Sequence, residues 1–510
     1  MALRTNGRLP AAAKPTPDTE TDVLDAVIIG AGISGLCIAR GLQRRGFSYK
    51  ILEQADDLGG TWRDNTYPGC SCDIPAPLYS FSFAQRAHWS SLFAGQPEIL
   101  DYLKRVATHF GITQHIELGT NVVSAKWHEA RQIWEVTADT GMALECRYLV
   151  SATGALRAPL LPDIPGRETF AGPAFHSATW NHDVDLRGKR VAVIGTGASA
   201  IQFVPEIAPH VAHLNVFQRT ANWILPRRNS AFTPREHRLR RLWPFRWYAR
   251  SRLFWIHESR VKGFTESAAQ MAETEKIARR HLQRKVQDPE LRAALTPDYA
   301  IGCKRLLISS DYYPTLGRDN VALQTPAISH ISADAVHTAD GQAHPADVVI
   351  YGTGFDAHFS FADVKIVGRD GRVLSDRWHE GREAYLATTV AGFPNFFVML
   401  GPNSALGHNS QIFMIEAQAR YIVSCLRTAR RRRIGVLNVR PSVEREFNEW
   451  LQGSLAHSVW QAGGCRSWYQ HPVNGKNTVL WPSSTIDFWR KTHRMRLSDY
   501  ERQRRRRTER

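Results

Sequence analysis

The 510-residue sequence predicts an α/β protein in which one parallel-sheet unit occurs twice, the second copy inserted in the first. Three observations carry that prediction. A short apolar run at 27–29 feeds Gly30, Gly32 and Gly35, and a second apolar run ends in Glu53. The pattern returns at 190–200, RVAVIGTGASA, with Gly195, Gly197 and Ala200 in the equivalent places. Finally, YLVSATG at 148–154 and ADVVIYGTG at 346–354 mirror each other. Both read as buried strands ending in small-residue turns, the places where the chain crosses between the two units.

The first unit has the order strand, glycine turn, helix, strand, acid, the pattern of a Rossmann-like dinucleotide-binding domain. The glycines allow a tight turn and bring the backbone against a pyrophosphate. The N-terminus of the following helix supplies free N–H groups and a partial positive charge. Glu53 ends the second strand, where a carboxylate accepts a ribose hydroxyl. The plainer alternative is a glycine-rich turn in an ordinary α/β domain. Residues 59–83 are rich in Gly, Pro and aromatics, so they read as loop and not helix. Such a loop commonly covers a ligand. Residues 97–110 read as an amphipathic helix. Residues 116–137 read as strands, with Trp127 and Trp134 flanking a turn at 129–132.

In the second unit Ala200 stands at the third glycine position, which needs only close helix–strand packing. The strand at 213–217 ends not in an acid but in Gln218-Arg219-Thr220. A carboxylate there would repel a 2′-phosphate, whereas an arginine pairs with it, so the second site should prefer NADPH to NADH. Two nucleotide folds in one chain, the second for NADPH, point to a redox flavoprotein with FAD in the first.

Residues 233–296 are rich in Arg, Leu and Trp and have helical periodicity. They predict a helical insertion that caps the substrate cavity, with contact to a membrane surface as the alternative. The chain then returns to α/β, with a short strand at 320–323, a strand and loop at 396–403 and a helix over 411–430. The aromatic stretch 468–490 closes the site. The expected boundaries are a leader at 1–23, a FAD-binding domain at 24–155 and 346–490, an NADP-binding domain at 156–345, and a basic tail at 491–510.

Net charge is +17, of which +7 falls in residues 490–510, ten Lys or Arg against three Asp or Glu. The tail reads as solvated, and no nucleic-acid module precedes it, so no specific nucleic acid is expected. No apolar run approaches the roughly 20 residues of a membrane span. The seven cysteines lack zinc-type spacing and read as mostly free thiols of a reducing, cytoplasmic compartment; no metal is expected. A redox disulfide between Cys70 and Cys72 would be strained by the single intervening residue.

Residues 170–180, FAGPAFHSATW, place Phe170, Gly172, His176 and Trp180 in F-x-G-x-x-x-H-x-x-x-W. This resembles the fingerprint of the class I Baeyer–Villiger monooxygenases. Asn181 stands where that family usually has Pro or Asp. A second fingerprint fits Gly59, Gly60, Trp62, Tyr67, Pro68, Gly69 and Asp73, though residues 63–66 carry fewer aromatics than usual. With Lys304-Arg305 and YGTGFD at 351–356, the resemblance spans about residues 24–490. It implies an FAD- and NADPH-dependent oxygenase that converts a ketone to an ester or lactone through a C4a-peroxyflavin, with dioxygen as co-substrate. The alternative is the related flavin monooxygenase that oxidises sulfur or nitrogen.

The resemblance also implies site residues. Arg305 is the active-site arginine beside the flavin and Asp73 the carboxylate that orients it. Ser34, Glu53, Thr61, Trp62 and Tyr79 are FAD contacts, with the Val122 backbone at the adenine. Lys304, Arg219 and Thr220 form the 2′-phosphate clamp. Thr196, Gly197, Ala198, Ser199, Ala200, Ile201 and Gln202 wrap the NADPH pyrophosphate after Gly195. Ser71 and Cys72 approach the nicotinamide side, and His176 links the domains.

Overall fold

The structure is a computed structural model describing residues 23–86, 88–266, 268–356 and 364–506. Residues 1–22 of the expected leader and residues 507–510 of the tail lie outside the described residues. Two sheets, one mixed and one wholly parallel, organise the chain. In the first, of eight strands, Leu24–Ile29 runs parallel to Tyr49–Leu52 on one side and to Ala143–Ser151 on the other. The run is apolar because both faces are covered; Ala26, Val27 and Ile28 have no exposed surface. Val122–His128, Ile133–Ala138 and Ala143–Ser151 extend the sheet as an antiparallel meander. Trp127 and Trp134 pair directly across its first turn. Phe396–Val398 joins beside Ala143–Ser151, and Lys365–Val367 beside Val122–His128.

The second sheet has five parallel strands in the order Val321–Gln324, His213–Phe217, Arg190–Ile194, Val348–Tyr351, Ala174–His176. Its membership moves one expected boundary. Val348–Tyr351 lies in this sheet, so the chain returns to the first unit after Tyr351 and not before Ala346. A fully buried strand, apolar throughout, suits either sheet, and only the turn after it marks the crossing.

The insertion leaves after Ile224–Leu225 and returns before Leu307–Ile308, two short strands that pair in parallel. Its ends are therefore pinned together. Between them lie helices Pro234–Arg240, Trp243–Glu258, Val261–Thr265, Ala268–Lys285 and Pro289–Ala294. The first is started by a capping box, Thr233 and Glu236 each accepting from the other's backbone. Helix Trp243–Glu258 packs on the 77–80 loop and on Phe413.

Two local expectations change, and the expectation of mostly free thiols holds with one pair excepted. Residues 61–64 form one helical turn inside the predicted loop. The tail is ordered to Arg506. Tyr500–Arg504 pairs antiparallel with Ile434–Val439 and drives Tyr500 into the core, where its hydroxyl meets that of Tyr421 at 2.6 Å. One buried aromatic outweighs the arginines, which stay outward in the strand's alternation. Five cysteines are free and buried, but Cys303 and Cys465 form a disulfide across 162 residues.

Candidate functional site

The first glycine turn needs its glycines. Gly30 has φ +103, and a Cβ on Gly35 would lie 2.0 Å from the Gly30 carbonyl oxygen. Helix Ile33–Gln43 starts after Gly32 without a side-chain cap, so its first N–H groups, those of Ser34 and Gly35 included, are left for an anion. Gly60 faces this turn, and a Cβ there would stand 3.2 Å from Gly32 Cα. That close approach sets Thr61 and Trp62 beside the turn. The Trp62 indole N–H donates to the Tyr79 hydroxyl at 3.1 Å, which joins two of the predicted FAD contacts.

Glu53 sits at the turn as expected, 5% exposed. Its Oε2 accepts from the Ala31 N–H at 2.7 Å. Its Oε1 accepts from Ala55 N–H at 3.2 Å and from Arg63 Nη1 at 3.0 Å. Arg63 is a partner that the sequence reading did not single out. The Glu53 carbonyl accepts from Thr120 N–H at 2.8 Å, which fixes Val122 two residues farther along the same edge.

The second turn repeats the first. Gly195 has φ +107, and a Cβ would meet the Gly352 carbonyl oxygen at 2.5 Å. Helix Ala200–Ile207 also begins without a side-chain cap. Asn222, unforeseen from the sequence, donates to the Thr196 carbonyl and hydroxyl at 2.9 and 3.2 Å and holds the turn. Gly197, Ala198 and Ser199 lie on its rim, whereas the Ile201 side chain is buried in the core. Gln202 points at the other domain. Its Oε1 accepts from Tyr67 Oη and Ser71 N–H, both at 3.2 Å, and its Nε2 donates to the Ser71 carbonyl at 3.1 Å. Gly69 makes room for this contact; a Cβ there would stand 2.9 Å from the Gln202 carbonyl. Cys70 and Cys72 are both buried and free, and burial pushes the Cys70 thiol up to about 11.

Arg219 and Lys304, 85 residues apart in sequence, come together because the insertion's ends are pinned. Burial first, and then the Arg219 charge, pull the Lys304 ammonium below its ordinary range. Its Nζ also lies 4.6 Å from the Tyr299 ring centroid. Thr220 follows Arg219 and is half-buried. One residue beyond Lys304, Arg305 crosses to Asp73 of the first domain: Nη2 and Nε donate to the same oxygen, Oδ2, at 2.6 and 3.1 Å. Asp73 raises the Arg305 pKa against the opposing effect of burial, so the guanidinium stays charged. The pair is not sealed, with 38% of the arginine and 27% of the aspartate side chain exposed. Tyr469 lies close enough to both to feel their charges; burial holds its hydroxyl up at about 12. It sits in the 468–490 stretch expected to close the site.

The fingerprint residues lie in and beside the second sheet. Phe170 packs on the second sheet's core, and a Cβ on Gly172 would strike the Asp347 carbonyl at 2.4 Å. His176 pairs with Tyr351 at the sheet edge, and its ring lies 5.8 Å from Phe355, beside the crossing to the first domain. Trp180 packs on Phe203 of the second glycine helix at 5.3 Å.

Residues 25–375 match the family described as flavin-binding monooxygenase-like. A Baeyer–Villiger monooxygenase of Pseudomonas aeruginosa is 43% identical over 499 residues, 97% of this chain and 94% of that one. A Baeyer–Villiger monooxygenase of Streptomyces coelicolor is 44% identical over 479 residues, 93% of this chain and 92% of that one. This chain belongs to the Baeyer–Villiger monooxygenases. It is an NADP-dependent flavoenzyme. Crystal structures agree. Closed cyclohexanone monooxygenase superposes with a TM-score of 0.86 at 29% identity, covering 95% of this chain and all of that one. OTEMO in complex with FAD and NADP gives 0.85 at 29% identity, covering 93% and 98%.

For this Baeyer–Villiger monooxygenase the residues present fit both cofactors. The facing backbones of Gly32 and Gly60, with an uncapped helix start between them, suit a diphosphate that no side chain obstructs. Two neighbouring cations, Arg219 and Lys304, suit a further phosphate. No described helix is long and apolar enough to cross a membrane.

Proposed function

We propose that this enzyme inserts one oxygen atom beside the carbonyl of a ketone, giving an ester or lactone and water, with Arg305 as the cation that makes the insertion possible. The observation that carries the reading is the Arg305–Asp73 pair, two bonds to one carboxylate oxygen across the domain boundary, still partly exposed. Bound FAD, reduced by NADPH, supplies the oxygen atom from dioxygen. The protein's part is charge and position. Arg305 offers a permanent positive charge where negative charge develops on the reacting oxygens. Lysine could lose its proton in such surroundings; arginine does not. Asp73 fixes the guanidinium plane and lowers the cost of taking that charge out of water.

Arg219 and Lys304 hold the 2′-phosphate of NADPH, and an anion between them offsets both the burial that mainly lowers the Lys304 pKa and the Arg219 repulsion that adds to it. The Thr196–Gly197–Ser199 rim takes the pyrophosphate. Gln202, tied to Tyr67 and Ser71, keeps the two nucleotide sites in register. The cytoplasm, a compartment supplied with NADPH, is the setting this reading favours.

The test is Arg305→Ala. NADPH should still bleach the flavin at a near-normal rate, while ester formation falls by about 10²–10³ or more and hydrogen peroxide takes its place. Normal ester formation by the folded variant would remove Arg305 from the reaction.

A further inference from the structure

Helix Trp243–Glu258 has two unlike sides. Inward, the Arg250 guanidinium donates to the carbonyls of Pro77 and Ser80 at 2.6 and 2.8 Å. Glu258 is buried and accepts from Asn409 Nδ2 at 2.8 Å and Thr485 Oγ1 at 2.5 Å. Outward, the side chains do the opposite of what water favours. Trp243, Trp247 and Trp255 remain 68, 63 and 59% exposed, and Tyr248 60%. Leu242 and Ile256 are exposed with them. No other described stretch of this length leaves so many large apolar side chains in solvent.

The spacing is orderly. Trp243, Trp247, Ser251 and Trp255 lie four apart on one ridge of the helix, and Tyr248, Arg252 and Ile256 four apart on the next. The exposed charges of this stretch are nearly all positive. Between residues 233 and 266 the exposed ions are Arg235, Arg238, Arg241, Arg252, Arg260 and Lys262 against a single exposed acid, Glu266. Contiguous apolar surface of this kind marks an interaction site. Indole and phenol rings mixed with guanidinium groups are the composition of the membrane–water boundary, where the rings sit at headgroup depth and the cations meet lipid phosphates.

We propose that the outer face of helix Trp243–Glu258 docks in the plane of an anionic lipid bilayer. The rings enter the headgroup layer, and the arginines around them pair with phosphate. Because the inner face is bolted to the 77–80 loop, docking would bring the cap over the flavin-side loop against the lipid.

The test is co-sedimentation of the full-length flavoprotein with vesicles of phosphatidylcholine plus phosphatidylglycerol, and with phosphatidylcholine alone, at about 0.15 M salt. We expect binding to the anionic vesicles at least about tenfold tighter than to the neutral ones, weakened by added salt, with a blue shift of tryptophan fluorescence. Trp243→Ser/Trp247→Ser/Trp255→Ser should lose at least about tenfold in binding while keeping its melting temperature and its turnover of a water-soluble ketone. Deletion of residues 507–510 should leave binding intact. Absence of binding, equal binding to both vesicle types, or full binding by the triple variant would overturn the proposal. So would a wild-type dimer that ignores vesicles and that the triple variant splits, which would assign the face to a second copy of the chain.

Discussion

The two glycine turns are the same device set to different tasks. In each, a strand enters a positive-φ glycine whose N–H donates to the end of the neighbouring strand: Gly30 to Leu52 at 2.8 Å, Gly195 to Phe217 at 3.1 Å. In each, a crossing turn returns the bond on the other side: Ala152 to Ile29 and Gly352 to Ile194, both at 2.8 Å. The backbone is therefore common property. What differs is the third small residue, Gly35 against Ala200, and the residue past the second strand, Glu53 against Gln218-Arg219. The first difference is steric and the second is electrostatic. The fold makes a phosphate cradle twice, and the charge at the strand end decides whether a ribose diol or a further phosphate is read beside it.

The largest effect should come from making the first turn like the second. In Gly35→Ala the new Cβ would fall 2.0 Å from the Gly30 carbonyl oxygen, against backbone that cannot swing aside. The helix must then leave the turn. The expected outcome is protein that is flavin-free or insoluble, read from the ratio of flavin to protein absorbance after purification. Full flavin content with an unchanged melting temperature would show that the turns tolerate the same residue and that the steric difference is incidental.

A second contrast is covalent. The second unit is tied through Cys303, one residue before Lys304, to Cys465 near Tyr469, while the cysteines around the first unit are free. Closing so long a loop should contribute about 2–4 kcal/mol to stability. Thiol titration of the unfolded protein should find five thiols without reductant and seven with it. Cys465→Ser should melt lower and hold NADP⁺ more weakly. Seven thiols in the untreated protein would abolish this contrast.

The electrostatic difference is tested by Arg219→Ala. Loss of one charge-assisted contact to the 2′-phosphate should raise the NADPH requirement by about tenfold to a hundredfold and leave that for NADH nearly unchanged. Equal losses for both would assign Arg219 to folding and not to nucleotide choice.

How much of this was legible follows from how local each feature is. The glycine turns, the Trp127–Trp134 hairpin and the insertion's helices declare themselves within a few residues. Strand Val348–Tyr351 reads equally well in either unit, because a run buried on both faces carries no mark of its sheet. Tyr500 was hidden among arginines, since a charge count does not register one inward side chain in an alternating strand. Cys303 and Cys465 share no spacing motif. The Arg305–Asp73 pair spans 232 residues and came from family resemblance; no periodicity could have joined the two. Gln202 lay in the right turn, but its side chain serves the partner domain, and a sequence does not say which way a helix-surface amide points.

The smallest effect should come from the reverse exchange, Ala200→Gly. A Cβ added to Gly352 would stand 3.4 Å from the Ala200 Cβ, an ordinary contact. Ala200 is fully buried without a clash, whereas a Cβ on Gly35 would strike a carbonyl. Removing the methyl should cost no more than about 1 kcal/mol, mostly backbone entropy at the first helical position. A slightly lower melting temperature with unchanged NADPH affinity is the expected pair of results. A large loss of NADPH affinity would mean that the Ala200 methyl sets the helix start against the pyrophosphate. The third position would then select the nucleotide alongside Arg219, and steric and electrostatic differences would no longer be separable.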